Sequence, residues 1–425
     1  MAEIRCKACN SIDVLPFLSF GKLPLGNAFL TQNEVKTEQK FDLDLGFCEA
    51  CKLVQQTSPP PQTNLTHVYK NYRYVPVGGS LRGNLASLSR QIVDEFKLDS
   101  ESFFVDIGSN DGALLSGIKG RCKILGIEPA TEISELARKA GIDTLTGFFT
   151  PDLAKRVLSE RGHADVVTST QVLQHIPDLR GFLKSVQLLL KPSGIFVVEG
   201  RYFADTIRKL SFDTVYHEML YFFTLSSLAN FFGTIGMEIF RAELVDVYGG
   251  SLRVYAKNKA NRDFPIHESV PRILDIERSL GLDKFETYSS FAKGVFELRN
   301  ELNKVLLGLS EKGKIAGYGA PSTGTTLLNF CKIGKDQLEY IVDDSPLKQG
   351  LLTPGVHIPI VDSTALVQRP PDYLLIIAWR MRDEILPKVK DSQRRGMSII
   401  IPLPKIEIIS WDNANDVPKS LVVNA

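Results

Sequence analysis

The chain has 425 residues, 44% hydrophobic and 23% charged, and its 50 Lys and Arg against 49 Asp and Glu leave a formal net charge of +1. At about 100–200 residues per domain this length predicts two to four domains of ordinary globular composition. The near-zero charge argues against a general nucleic-acid or membrane-surface binder. The opening MAEIRCKACN lacks the apolar core of a secretory signal, and no apolar run reaches the ~18 residues of a membrane span, so a cytoplasmic location is expected.

Four of the six cysteines lie in the first 51 residues, as Cys6-x-x-Cys9 and Cys48-x-x-Cys51. Paired CxxC motifs can give tetrahedral thiolate coordination of Zn²⁺; redox motifs and four unrelated buried thiols are the rival readings. The 38 residues between Cys9 and Cys48 predict an insertion folded between two knuckles, and no open coordination position is indicated. A zinc ion here is expected to support the fold. The proline-rich run Thr57–Asn64 closes the segment like a linker. Cys122 and Cys331 read as plain core residues.

A helix is expected from about Ser80 to Phe96, with Leu81, Leu85, Leu88, Ile92, Val93 and Phe96 on one face. From Phe103 short apolar runs alternate with amphipathic helices. FFVDIG, KILGIEP, ADVVTST and GIFVVEG read as buried parallel strands, with helices at about Thr131–Ala140 and Leu179–Leu190, and the alternation runs to about Lys259. A charged helical stretch follows over roughly Val270–Glu311. KIAGYG, LEYIVDD, YLLIIAW and MSIIIPL then form a second set of strands. The expected class is α/β: a small zinc-binding N-terminal module (1–65), a Rossmann-like domain (66–262), and a second Rossmann-like α/β domain (263–425) with a helical lead-in over 270–311.

A methyltransferase reading of residues 66–262 comes from VDIGSNDG (Val105–Gly112). An apolar strand ends in Asp106, and a turn with Gly108, Asn110, Asp111 and Gly112 opens a helix. Glycines allow the tight turn and close approach of backbone to a ligand. The pattern is not G-x-G-x-x-G. Asp106 and Asp111 would repel a pyrophosphate but not a sulfonium, which points to S-adenosylmethionine. Glu128, ending the next strand before Pro129, is placed to accept hydrogen bonds from ribose hydroxyls. Thr170 and Gln171, at the end of the fourth strand, complete the expected donor set.

Beyond these motifs come VLQHIPD (Val172–Asp178), FDTVYHEM (Phe212–Met219), YGGSLRVY (Tyr248–Tyr255), GYGAPSTGTTLLN (Gly317–Asn329) and DDSPLKQGLLTPGVHIPI (Asp343–Ile360). In this order, after the two CxxC pairs and VDIGSNDG, they resemble the sugar C-methyltransferases of deoxysugar biosynthesis over nearly the whole chain. The resemblance implies methylation of the carbon next to the keto group of a nucleotide-linked 4-keto sugar. A base removes the acidic proton, a donor stabilises the enolate, and the enolate attacks the methyl group.

It also implies site residues. Tyr216, His217, Glu218, His175 and Tyr74 match the family's acceptor and catalytic segments, and Tyr72 belongs to the same tyrosine pair. The GYGAPSTG turn, with Ser322, Thr323 and Gly324, suits phosphate at a helix N-terminus and is the expected nucleotide contact. The sequence departs from the family at four places. Met219 stands where the family's Y-x-E-H motif has its histidine, Tyr248 replaces a common histidine, Arg201 a small residue, and Arg380 a common asparagine. The two arginines would suit a more anionic acceptor; solvated surface charge is the rival reading. Three outcomes stay open at this level. His217, Glu218 or His175 has taken over as base; the acceptor is an oxygen or nitrogen; or the chain binds donor without turnover. His67, His163 and His267 read as having no specific role, and His357 as structural.

Overall fold

The computed structural model describes residues 4–70, 79–247, 249–412 and 417–423. Three sheets organise them. The first is antiparallel: β1 (Val14–Pro24), β2 (Lys40–Cys48) and β3 (Val54–Gln56), extended by the two-residue strand β9 (Tyr221–Phe222) contributed from the middle of the chain. The long hairpin β1–β2 is the expected insertion between the knuckles. The proline-rich run is not a free linker, because the helix Gln62–Lys70 begins inside it.

The second sheet contains β4 (Phe103–Ile107), β5 (Lys123–Glu128), β6 (Thr144–Thr146), β7 (Ala164–Thr170), β8 (Leu190–Arg201), β10 (Met237–Val245) and β11 (Ser251–Asn258). Its order is β10-β11-β8-β7-β4-β5-β6. The five strands β8-β7-β4-β5-β6 are parallel in the doubly wound pattern, and every β4 residue is buried, as expected of a strand covered on both faces. The alternation expected to run to Lys259 instead ends in an antiparallel hairpin, with β11 inserted against β8 and running against its neighbours.

The third sheet has the order β14-β13-β12-β15-β16-β17-β18. Its strands are β12 (Ile315–Tyr318), β13 (Leu338–Val342), β14 (Ile360–Val361), β15 (Tyr373–Ile376) and β16 (Ser398–Ile401), all parallel, then the antiparallel β17 (Glu407–Asp412) and β18 (Val417–Val422). The helical lead-in is two helices, Ser269–Ser279 and Phe285–Ser310, parted by a turn at Gly281, whose φ of +66° is cheap only for glycine.

The cores do not follow these three units. One apolar cluster joins the β1–β3 sheet, Phe212, Val215, Met219 and Phe222, the long helix Phe285–Ser310 and the third sheet as far as β17. Another joins the cysteine knuckles to one face of the second sheet. The segment around residues 212–222 is therefore the place where all three units meet. No helix among the described residues is long and apolar enough to cross a membrane.

Candidate active site

The cysteine knuckles are built alike. In each, the backbone N–H four residues after the first cysteine returns to its carbonyl (Asn10 to Cys6, 2.9 Å; Lys52 to Cys48, 2.8 Å), and both turn residues are left-handed (φ +65° and +66°). The four Sγ atoms lie within 4.8 Å of one another, with 3.5 Å between Cys6 and Cys51 and 3.6 Å between Cys9 and Cys48. Ligands about 2.3 Å from a tetrahedral Zn²⁺ stand ~3.8 Å apart, so the cluster fits that ion with little adjustment. Hydrogen bonds with Cys51 and then Cys6 favour the Cys48 thiolate, and those with Cys48 and then Cys6 push the Cys51 thiol upward. A dication removes that conflict by stabilising all four as thiolates.

The donor half follows the expected outline. Gly108 (φ +75°) and Gly112 (φ +79°) lie in the left-handed region, and Asn110 shares it at +50°. A Cβ on Gly108 would come within 2.3 Å of the Val172 side chain, and one on Gly112 within 2.8 Å of Ile142, so both glycines are required by backbone shape and by space. Glu128 closes the turn: one carboxylate oxygen accepts from the Asn110 N–H (3.0 Å) and the other from the Ala130 N–H (2.8 Å). Asp106 is buried beneath it and accepts from the Thr168 hydroxyl at 2.7 Å. Burial, with the charge of Glu128 nearby, raises its pKa to about 7. Asp111 is ion-paired with Arg82 of the helix Gly79–Glu95, so its charge is balanced within the protein. Gln171 is also left-handed (φ +57°), its amide reaching the Ser251 hydroxyl at 3.1 Å; Thr170 precedes it at the end of β7. Pro129 follows Glu128 at the end of β5.

The residues of the YHEM segment are engaged within the protein to different degrees. Glu218 is 1% exposed, and its carboxylate accepts from the Gly26 N–H (3.1 Å), the Asn27 N–H (2.9 Å) and the Asn27 side-chain amide (3.1 Å). His217, equally buried, has Nδ1 3.2 Å from the Pro24 carbonyl and Nε2 3.0 Å from that of Phe41. Both candidate bases are thus engaged in fastening the β1–β2 hairpin. Met219 packs in the shared apolar core.

His175 is arranged differently. Its Nδ1 is hydrogen-bonded to the Glu218 carbonyl, and because a carbonyl only accepts, Nδ1 carries the proton and Nε2 keeps the lone pair. The Tyr69 ring centre lies 5.8 Å from the imidazole and that of Tyr216 6.4 Å. Burial first, and then the charge of Arg201, lower its pKa to about 4.

Arg380 grips Asp213 with both arms of its guanidinium (2.7 and 2.8 Å), and the Trp379 indole N–H donates to the same carboxylate at 3.0 Å. The guanidinium, for which an anionic acceptor and solvated surface charge were the two readings, is forked on this buried aspartate and joins the second and third units. Ser322 likewise donates to the Asn27 side chain at 2.5 Å. Thr323 is buried, and a Cβ on Gly324 would come 2.7 Å from Ile377. The start of the helix Ser322–Phe330 is therefore docked on the N-terminal module. Tyr72, Tyr74 and Tyr248 lie outside the described residues. His357 pairs with Glu38 at 2.9 Å, in keeping with its structural reading.

Gln56, Asn27, Tyr69, Arg82 and Asp213 were not singled out by sequence reasoning. Their spacing carries no motif, and their partners are 29 to 295 residues away. Asn27, in the tight turn after Pro24-Leu25-Gly26, gave the best available signal.

A doubly wound sheet closed by an antiparallel hairpin, with a glycine turn after its first strand and an acid after its second, defines an S-adenosylmethionine-dependent methyltransferase domain, here backed by a zinc-binding module. Three family models match in the same order: a zinc-binding domain over residues 6–65, a methyltransferase domain over 81–241 and a C-methyltransferase C-terminal domain over 246–404. The C-methyltransferase NovU of Streptomyces niveus is 32% identical over 419 residues, which is 96% of this chain and 97% of that protein. Solved structures similar to this chain include the magnesium protoporphyrin IX methyltransferase of Synechocystis PCC 6803 with bound S-adenosylhomocysteine (14% identity, 46% of this chain and 99% of that one, TM-score 0.35) and the PH0226 protein of Pyrococcus horikoshii OT3 (14%, 46% and 99%, TM-score 0.35). The chain belongs to the C-methyltransferase family. It is an S-adenosylmethionine-dependent enzyme with a four-cysteine zinc site.

Proposed function

We propose that the enzyme methylates the carbon next to the ketone of a nucleotide-linked 4-keto sugar, by way of an enolate, with His175 as the base. The observation that carries the reading is the state of His175: neutral, locked by the Glu218 carbonyl with Nε2 free of its proton, and placed in the 3₁₀ turn after β7, close to the donor loop. Bound S-adenosylmethionine supplies an electrophilic methyl on a sulfonium. Glu128 retains lone pairs for ribose hydroxyls beyond the two amides it already accepts. Asp106, Gly108, Asn110, Asp111, Gly112, Pro129, Thr170 and Gln171 shape the same cradle.

On the acceptor side, Nε2 of His175 takes the proton alpha to the carbonyl, and the C–H electron pair passes to the carbonyl oxygen. A base with a pKa near 4 is weak when it titrates alone. The imidazolium formed here stands beside a new enolate anion, and that pairing offsets its burial. Arg201, whose charge already acts on His175, is assigned to the enolate oxygen. Tyr216, Tyr72, Tyr74 and Tyr248 are assigned to the sugar. The nucleotide is assigned to the third domain near Ser322–Gly324. Support for this reading comes from the family membership and from the engagement of His217 and Glu218 elsewhere.

The test is incubation with S-adenosylmethionine and a panel of nucleoside-diphosphate 4-keto sugars, followed by product NMR. The expected result is a new methyl on the carbon beside the ketone. A methyl on oxygen or nitrogen would overturn the enolate reading while leaving the methyltransferase assignment intact.

A further inference from the structure

The two glutamines that end β3 are both 1% exposed, and, as successive strand residues must, they face opposite ways. Gln55 holds the first cysteine knuckle: its Oε1 accepts from the Lys7 N–H at 2.8 Å and its Nε2 donates to the Arg5 carbonyl at 3.0 Å. Gln56 holds the segment opposite. Its Nε2 lies 2.7 Å from the Met219 carbonyl, 3.0 Å from that of His217 and 3.2 Å from that of Tyr216. The remaining carbonyl in this run belongs to Glu218. It accepts from His175 Nδ1 and from the Tyr69 hydroxyl at 2.9 Å.

The Gln56 Oε1 atom is buried and has no hydrogen-bond partner among the described residues. An amide that leaves its acceptor unmet in the interior is a poor source of stability. What it does achieve is to aim three carbonyls one way, which leaves the fourth to point at the histidine. The two amides thus connect the first knuckle to the peptides on either side of Glu218, whose own carbonyl meets the imidazole.

We propose that Gln56 is a positioning residue that fixes the Glu218 carbonyl and with it the Nδ1–H tautomer of His175, and that Gln55 ties this setting to the zinc knuckle. The inference rests on the reading of His175 as the base. If the 216–219 peptides are free to turn, Nδ1 loses its acceptor, and part of the population carries the proton on Nε2, where it cannot take another.

The experiment uses zinc-loaded full-length Gln56→Leu and Gln55→Met variants with ¹⁵N-labelled histidine. For Gln56→Leu, metal content is expected to stay near one zinc per chain. The ¹⁵N signals of His175 are expected to move from a single tautomer to a mixture, and kcat to fall about 10–100-fold with little change in KM for either substrate. Gln55→Met is expected to shift the same signals in the same direction. Unchanged His175 signals in Gln56→Leu would overturn the positioning role, and unchanged signals in Gln55→Met would overturn the link to the knuckle, even if the first variant folds poorly. His175→Gln separates the two readings. If that variant still exchanges the substrate's alpha proton, His175 is not the base, whatever the tautomer data show.

Discussion

The proposed donor and acceptor halves of this enzyme are built on different principles. The donor cradle is local: Asp106, Gly108, Asn110, Gly112 and Glu128 lie within 23 residues, on two adjacent parallel strands and the turn between them. The acceptor wall is assembled from distance. Glu218 is fixed by Gly26 and Asn27, its carbonyl by Tyr69, and Asp213 by Arg380. A local site keeps its motif because each residue is constrained by its neighbours. A wall assembled from three domains spreads its constraints over distant partners, so no single short motif records them.

The sharpest way to break this contrast is to remove the metal. Cys48→Ser is expected to cost on the order of 10 kcal/mol of metal-linked folding energy in the first module. Methyl transfer should be abolished while donor affinity, measured by calorimetry, changes far less. Equal loss of both would show that the donor half is not independent.

Next comes His175→Ala, expected to lower kcat by about 10²–10⁴-fold with donor affinity unchanged. Single-turnover S-adenosylhomocysteine release reads this directly. Arg380→Ala leaves the Asp213 carboxylate buried with, among the described residues, the Trp379 N–H as its side-chain donor, and about 3–5 kcal/mol of stability should go with it. Chemical denaturation measures that loss, and a change below about 1 kcal/mol would mean that the domains are not clamped there. Glu128→Gln removes a charged acceptor from two backbone amides and is expected to weaken the donor alone, by roughly 1.5–3 kcal/mol.

The smallest effect is the dependence on pH, and its sign differs between the halves. His175 has a folded pKa near 4, below its unfolded value. The stability it contributes is therefore present above about pH 6.5 and is lost as pH falls toward 4. Asp106, raised to about 7, works in the opposite sense: its contribution is present below about pH 4 and is lost as pH rises through 7. Over pH 4 to 7 the two therefore oppose each other: His175→Gln should leave stability falling as pH rises through this window, and Asp106→Asn should leave it rising. Melting temperatures taken from pH 4 to pH 9 would check both.

Much of this was legible before any fold was known. Strand, turn and acid around VDIGSNDG needed only local chemistry, since a left-handed turn calls for glycine whatever surrounds it. The paired CxxC motifs specified a tetrahedral site because four thiolates at that spacing have few other uses. Element boundaries held where the apolar period was strong, as in the helix Leu179–Leu189, and shifted where a turn interrupted it, as at Gly281.

The acceptor half was less legible. Sequence identified the segment YHEM and noticed its missing histidine, but Tyr216, His217 and Glu218 were equivalent as letters. Only packing against the β1–β2 hairpin separated them, by placing carbonyls on both nitrogens of His217 and amides on both oxygens of Glu218. Arg380 could be read as an anion grip until the buried Asp213, 167 residues earlier, was found in its fork. The sequence by itself determined the donor, the metal and the order of the domains, because those features are fixed by residues close together in the chain. The tertiary structure decided which side chains remain for chemistry, because hydrogen-bonding capacity is finite and distant partners had already claimed most of it.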